Sequence, residues 1–172
     1  LDKNAHTDKI MCMFKGVWEQ FQTLLSSPIF LACVSSWFLA QFLKTLIKLF
    51  AGKVHSIKEL VELLIWRTGG MPSSHSALVA CLCTCIGITD GFDSGLFVLS
   101  FCFFMVTIRD AVGVRRANGI QANMINRIGN LLKDQGLVQE YKNLKEVQGH
   151  SPMEVIVGCI LGFFVGIGFL VL

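Results

Sequence analysis

The sequence has few charged residues for its 172-residue length, together with only three prolines and one tyrosine. Charged residues make up 16% of the chain, whereas about 25% is usual for soluble domains. Hydrophobic residues make up 53%, more apolar surface than a soluble fold of this size can bury. These proportions exclude a free globular domain of the cytosol, a disordered chain and a coiled coil.

A strong excess of one charge sign is also missing. Fifteen Lys and Arg against twelve Asp and Glu leave a net charge of +3 at pH 7. The basic residues are too scattered to indicate nucleic acid, so we expect no nucleic-acid partner and instead a membrane lipid surface.

No C-x-x-C pair occurs among the seven cysteines. Free cysteines inside apolar runs behave as small hydrophobic residues. Packing is therefore favoured over a metal or redox role for the six that lie in such runs: Cys33, Cys81, Cys83, Cys85, Cys102 and Cys159.

What the sequence does have is four apolar stretches, at residues 28–50, 76–88, 95–108 and 155–172. A helix needs roughly 20 residues to cross the hydrocarbon core. The first and fourth stretches meet or approach this length. The second and third can span the core only if the polar residues at their ends are also helical. The pattern predicts an all-α integral membrane bundle with about four spanning helices.

Residues 1–27 precede this membrane domain, which covers residues 28–172. Apolar residues recur at helical spacing in the N-terminal segment, with charged residues between them. We therefore predict an amphipathic helix that lies in the membrane interface. The chain begins with Leu1 rather than Met, which is compatible with an upstream segment such as a targeting peptide.

Two further patterns concern packing. Residues 114–153 are polar, and Leu137, Tyr141 and Leu144 mark a second, shorter amphipathic segment. In the last span every fourth residue is glycine: Gly158, Gly162 and Gly166. Such spacing lets membrane helices approach closely, which favours packing within the chain, with a homodimer seam as the alternative.

Basic residues concentrate on one side of the four-span topology, in loops 51–72 and 109–153. Loops rich in Lys and Arg usually face the cytoplasm or its organellar equivalent. The expected location is a chloroplast or mitochondrial membrane, or a bacterial-type inner membrane. The polar clusters at the span ends then lie on the stromal, matrix or cytoplasmic side.

The first polar cluster opens the second span, with Gly70, Ser73, Ser74 and His75. Glycine permits a close backbone approach, and a helix start offers free N–H groups and hydroxyls to an anion. A capped helix start with an incidental histidine is the alternative interpretation.

The second cluster closes the third span. Asp110 is followed by Arg115 and Arg116, and adjacent arginines suit forked hydrogen bonds to phosphate oxygens. An anchor for lipid head groups is the alternative.

The third cluster opens the fourth span with His150, Ser151, Pro152 and Glu154. His150 is a candidate nucleophile, and Glu154 a carboxylate that orients its ring. A capping box of Ser151 and Glu154, with Pro152 at the first helical position, explains Glu154 without catalysis.

Together with Lys44 near the end of the first span, these clusters supply the groups that phosphoryl transfer needs. A metal site is the competing use of four of them: His75, His150, Asp110 and Glu154. The surplus of arginine favours an anion over a cation, so we expect no metal and no cofactor.

On these motifs the chain resembles the divergent branch of the phosphatidic acid phosphatase type 2 superfamily, also described as acid phosphatase/vanadium-dependent haloperoxidase-related proteins. The resemblance covers residues 28–172, and its most specific segments are GGMPSSHSA, DAVGVRRANGIQA and GHSPMEV, beginning at Gly69, Asp110 and Gly149. The resemblance implies a metal-independent phosphatase. His150 would be the nucleophile that forms a phosphohistidine, His75 the general acid, and Glu154 the orienting carboxylate. The implied phosphate-binding set is Arg115 or Arg116, Ser73, Ser74, Gly70 and, in place of the superfamily's first lysine, Lys44.

The expected function is hydrolysis of a lipid phosphomonoester of the phosphatidylglycerophosphate, phosphatidic acid or polyprenyl phosphate class. The alternative is a non-catalytic membrane subunit of a larger complex that keeps the fold and binds lipid head groups. Three departures from the superfamily motifs motivate it, together with the added N-terminal helix. Ser74 replaces the P-S-G-H glycine, the Arg-Pro pair is missing, and the Arg-to-His distance is far longer than in the parent motif. The expected partners are membrane lipids and the phosphorylated substrate, with a homo-oligomer left open.

Overall fold

The computed structural model describes residues 3–52, 56, 70–144 and 151–171, with the backbone alone for residues 3–14 and Arg115. The described chain forms helices α1 (Lys3–Ser26), α2 (Pro28–Phe50), α3 (Ser74–Asp90), α4 (Gly95–Arg109), α5 (Arg115–Asp134) and α6 (Pro152–Val171). A π-helical turn, Asp110–Val114, joins α4 to α5. No strand occurs in these ranges, so the predicted all-α class is confirmed.

Within the described residues, three helical stretches are long and apolar enough to cross a membrane: Pro28–Phe50, Gly95–Asp134 and Pro152–Val171. The 17 residues of α3 are also apolar. At 1.5 Å per residue they extend about 26 Å, slightly less than the ~30 Å hydrocarbon core. The membrane bundle is confirmed, and α3 is shorter than each of the three spanning stretches. The polar residues at both ends of the apolar stretch 76–88 are part of this helix.

Serine residues begin the helices of the bundle. The hydroxyls of Ser73 and Ser94 accept hydrogen bonds from main-chain N–H groups in the first turns of α3 and α4, at 3.4 and 3.1 Å. Ser151 accepts from the Glu154 N–H at 3.4 Å, and Pro152 is the first residue of α6. These caps satisfy N–H groups that have no partner within their own helix.

The central helix is α3, which packs against α2, α4 and α6. Its closest approach is to the glycine stripe of α6. A Cβ at Gly158 or Gly162 would overlap the backbone at Ser73 or Ala77, and one at Gly166 would lie 3.2 Å from the Cys81 carbonyl oxygen. The contacts advance together along both helices, so α3 and α6 run parallel. The stripe packs within the chain, which was the interpretation favoured over a homodimer seam.

Small side chains fill the space between the helices, and large ones face outward. The buried apolar residues include Ala32, Ala40, Ala77, Ala80, Cys81 and Cys85. Large exposed residues lie on all three spanning stretches, among them Phe38, Phe42, Phe103, Val106 and Phe164. This distribution is typical of helices that meet closely inside a membrane and expose bulky residues to lipid. The six cysteines that the structure describes are free, in agreement with the expected packing role.

One helix was not anticipated. The polar stretch 114–153 contains the amphipathic helix α5, whereas Tyr141 and Leu144 lie outside any helix. Both dock on Asn126 of α5, whose side chain bonds the Tyr141 hydroxyl at 2.9 Å and the Leu144 N–H and C=O at 2.7 and 2.9 Å. The apolar residues of the predicted short segment therefore serve to fold the chain back onto α5.

The N-terminal prediction is confirmed at the level of secondary structure, since residues Lys3–Ser26 form a helix. Its apolar side chains are exposed at Val17, Trp18, Phe21, Leu24 and Leu25. A location in the membrane interface stays a prediction.

Candidate functional site

Polar residues from the predicted clusters meet where α2 ends and where α3 and α6 begin. The Ser73 N–H donates a hydrogen bond to the Glu154 carbonyl oxygen at 2.9 Å, which joins the starts of α3 and α6. Gly70, just before α3, lies against α2: a Cβ there would be 3.6 Å from Lys44 Cγ and 3.3 Å from Lys48 Cε. The π-helical turn also contacts α6.

Lys44 is the most unusual residue of this region. Its side chain is 1% exposed, although it carries an ammonium group. Its Nζ donates a hydrogen bond to Gln41 Oε1 at 3.0 Å. The Glu154 carboxylate is near enough to attract the ammonium, and Lys48 is near enough to repel it. Burial of a charge costs several kcal/mol, and such residues in membrane proteins usually serve a function.

The segment before α3 is shaped for a close approach between backbone and lysines. Gly70 has a φ of +103°, a left-handed conformation that a residue with a Cβ rarely adopts. Ser73, Ser74 and Ser76 are buried, and the Ser76 hydroxyl donates to Ser73 Oγ at 2.9 Å. The serine hydroxyls thus help to organise the N-terminus of α3, where main-chain N–H groups favour an anion.

His75 is the second residue of α3 and is exposed, between the buried Ser74 and Ser76. Its position leaves the imidazole accessible to a substrate from outside the bundle. Glu154 lies in the first turn of α6 and is half-buried. Its main chain binds Ser73 and its carboxylate interacts with Lys44, so it couples two of the predicted clusters.

The remaining predicted site residues are less closely joined. Asp110 begins the π-helical turn and is half-buried, and Arg116 is exposed in the first turn of α5. A π-helical turn within an α-helix frequently marks a functional site. The Arg115 side chain and the whole of His150 lie outside the described residues. His150 directly precedes Ser151, the cap of α6.

Gln41 and Lys48 interrupt the apolar stretch 28–50, and the sequence motifs did not identify them as site residues. In the structure Gln41 binds Lys44, and Lys48 packs beside Gly70. The signal was available, because residues 41, 44 and 48 share one helical face. A polar stripe on one face of a membrane helix indicates contact with other polar groups.

The described side chains contain no group of three His, Cys, Asp or Glu residues arranged to hold a metal ion. Because this set lacks His150, the expectation of a metal-free site stays a prediction. The arrangement that is described, a buried ammonium beside a helix N-terminus, suits an anion.

Comparisons with known proteins agree with the motifs. The sequence model of the divergent PAP2 family matches residues 25–165. The chain is also 45% identical, over 109 residues, to an uncharacterized membrane protein of Bacillus subtilis (strain 168), YuiD. That alignment covers 58% of this chain and 69% of the relative. No solved structure matches.

Proposed function

The chain belongs to the divergent PAP2 family, and from this membership we propose that it is a membrane-embedded, metal-independent phosphatase of a lipid phosphomonoester. The observation that carries the proposal is the burial of the Lys44 ammonium beside the start of α3 and the first turn of α6. A buried cation in the same region as a helix N-terminus is suited to hold a phosphoryl group.

The first half of the reaction transfers the phosphoryl group to the protein. A ring nitrogen of His150 attacks phosphorus, and the bond between phosphorus and the lipid oxygen breaks. His75, in its protonated form, donates its proton to that oxygen, so that the lipid leaves as an alcohol. The exposure of His75 supports this role, since a general acid must reach the leaving group.

The second half returns the protein to its starting state. Water attacks the phosphorus of the phosphohistidine, neutral His75 takes a proton from that water, and the bond between phosphorus and nitrogen breaks. Inorganic phosphate leaves, and His75 is again protonated. Glu154 orients the His150 ring through both steps.

Cations and N–H donors stabilise the charge on the transferring oxygens. Lys44 supplies a fixed positive charge from α2, and Arg115 or Arg116 supplies a forked donor from α5. Asp110 is the acidic partner of the arginines. The backbone at Gly70, Ser73 and Ser74 lines the phosphate pocket.

A lipid is the proposed substrate because the reacting groups belong to a bundle whose outer surface is apolar. A substrate anchored in the bilayer reaches such a site with its phosphate at the membrane face. Phosphatidylglycerophosphate, phosphatidic acid and a polyprenyl phosphate all have the required phosphomonoester.

Phosphate release from these three lipids tests the proposal, with the full chain reconstituted in vesicles containing EDTA. We expect turnover, and a fall of about 10²- to 10⁴-fold in His75→Ala, the usual contribution of a general acid. His150→Ala should abolish turnover. His6→Ala is the matched control, because His6 lies outside the segment that matches the family.

Turnover that survives His150→Ala would contradict the phosphohistidine mechanism. Binding of these lipids without any turnover would instead support the non-catalytic subunit of a larger complex.

A further inference from the structure

Gln41 holds the buried ammonium of the proposed site. Its Oε1 accepts the hydrogen bond from Lys44 Nζ at 3.0 Å. Gln41 is 5% exposed and Lys44 1% exposed, so water does not compete strongly for this bond. Among the residues that the structure describes, Gln41 is the hydrogen-bond acceptor of the Lys44 ammonium.

We infer that Gln41 is a positioning residue whose neutral amide fixes the Lys44 ammonium while leaving its positive charge for a substrate phosphate. The inference rests on the proposed function, in which Lys44 contacts the phosphoryl oxygens. Gln41 acts through Lys44 and does not itself react.

The choice of an amide is chemically meaningful. A carboxylate at position 41 would bind the ammonium more strongly but would cancel its charge. An amide oxygen accepts one of the three ammonium N–H groups and brings no charge of its own. The cost of burying the ammonium is therefore only partly offset before a phosphate binds, and an incoming phosphate supplies the remaining compensation.

The surroundings limit where the Lys44 side chain can go. The backbone at Gly70 lies against its stem, with the Lys44 Cγ 3.6 Å from the position of a Cβ at Gly70. Lys48 is near enough to repel the ammonium, and Glu154 is near enough to attract it. Of the side chains that the structure describes, Gln41 adds the directional bond, and a fixed geometry is what makes a charge effective in phosphoryl transfer.

Two substitutions test the two parts of the inference separately. One part is the hydrogen bond that fixes the ammonium, and the other is the neutrality of the amide. Gln41→Leu removes the acceptor and leaves the ammonium without its bond. Gln41→Glu keeps an acceptor at the same reach but adds a negative charge beside Lys44. Thr45→Val is the matched control, because it removes a buried hydrogen bond of the same helical turn, from Thr45 Oγ1 to the Gln41 main-chain oxygen at 2.8 Å, without touching the Lys44 ammonium.

The measurements are the dissociation constant for inorganic phosphate, the KM and kcat for the lipid, and the thermal unfolding midpoint, all on the full chain. We expect Gln41→Glu to weaken phosphate binding and raise KM by about 10- to 100-fold, because the added negative charge offsets the ammonium and weakens its hydrogen bond to the phosphate, with an unfolding midpoint near that of the unmodified chain. Gln41→Leu should lower kcat more than Gln41→Glu does. Thr45→Val should leave the phosphate dissociation constant unchanged.

Unchanged phosphate binding and KM in both Gln41 variants would overturn the inference, as would an equal loss in Thr45→Val. Because the phosphate dissociation constant does not depend on turnover, the two ideas fail separately. Phosphate binding that weakens in the Gln41 variants of a protein with no turnover contradicts the proposed hydrolysis and supports the role of Gln41. Turnover that is unchanged in both Gln41 variants contradicts the role of Gln41 and supports the proposed hydrolysis.

Discussion

At the scale of single residues, Lys44 joins the energetics of the fold to the proposed chemistry. The side chain lies six residues before the end of α2, about 9 Å inside the helix terminus at 1.5 Å per residue. Glu154 and Gln41 stabilise its charge only in part. A residue kept at such a cost is expected to contribute to binding.

Replacement of this lysine by methionine tests that expectation. Lys44→Met keeps a similar side-chain volume and removes the charge, so kcat/KM for the lipid should fall about 10²-fold or more, as for other lost electrostatic donors. Lys48→Met provides the comparison, because Lys48 packs beside Gly70 but is only half-buried. Equal kcat/KM values for Lys44→Met and the unmodified chain would contradict a role of Lys44 in the site.

Asn126 provides a second prediction at this scale. Its side chain bonds both main-chain groups of Leu144 and the Tyr141 hydroxyl while being 6% exposed. Asn126→Leu should destabilise this fold-back by about 1–3 kcal/mol, because three part-buried hydrogen bonds are lost. Hydrogen exchange at the Leu144 amide should accelerate accordingly. The exposed Asn130→Leu is the control, and identical exchange in the two variants would contradict the account.

The types of the site residues could be predicted from the sequence, but their partners could not. Glycine, serine and histidine before an apolar run indicated the start of α3 and its capacity to bind an anion. The bond between Gln41 and Lys44 depends on the neighbouring helices that exclude water from both side chains, and the sequence of α2 alone does not specify those neighbours.

At the scale of helices, the seam between α3 and α6 determines how closely the two site-bearing helix starts approach. The glycines of α6 let the α3 backbone come into direct contact with the α6 backbone. The hydrogen bond between Ser73 and Glu154 lies at the end of this seam. A change in the spacing of the helices would therefore alter the site.

Two alanine substitutions in α6 test the seam. A Cβ at Gly162 overlaps the Ala77 backbone, whereas one at Gly168 meets nothing within 4 Å. Gly162→Ala should cost about 1–3 kcal/mol through overpacking, and Gly168→Ala should be neutral or stabilise the helix by up to about 1 kcal/mol. Thermal unfolding of the two variants in detergent gives the comparison. A Gly162→Ala variant as stable as Gly168→Ala would contradict the packing.

The sequence predicted the bounds of some helices accurately and did not predict others. Because lipid-facing helices must be apolar throughout, apolar length alone predicted α2 at residues 28–50. The same criterion predicted α4 at residues 95–108, one residue short of its end at Arg109. The sequence pattern did not predict helix α5, because asparagines and glycines lie between the residues of its apolar stripe. This stripe includes Ile120, Met124, Ile128 and Leu131. The fold-back of Tyr141 onto α5 depends on contacts distant in sequence and had no local signal.

At the scale of the whole molecule, the fold brings polar clusters far apart in sequence to one end of an apolar bundle. The short connection between α3 and α4 returns the chain, so that α4 ends at the side where α3 begins. Lys48 and Arg109, in the last turns of α2 and α4, also lie at this end. By the tendency of Lys and Arg to remain on the cytoplasmic side, the site should face the cytoplasm, stroma or matrix.

An impermeant thiol reagent applied to sealed vesicles tests this orientation. Asp93 lies in the connection between α3 and α4, and Asn130 lies on α5; both residues are exposed. Each is replaced by cysteine in turn. In sealed vesicles of known orientation, Asn130→Cys should react from the cytoplasmic, stromal or matrix side and Asp93→Cys from the opposite side, above the background of the unmodified chain. Labelling of both from the same side would refute the topology.

The central claim is that phosphate passes from a lipid to a histidine of this protein before it reaches water. The most direct measurement is acid-free quenching of the full chain during turnover of a ³²P-labelled lipid phosphomonoester, followed by mass spectrometry of the labelled peptide. The account predicts a base-stable, acid-labile phosphate on His150 that is absent in His150→Ala and forms to the same extent with and without EDTA. Turnover with no label on His150 would contradict it.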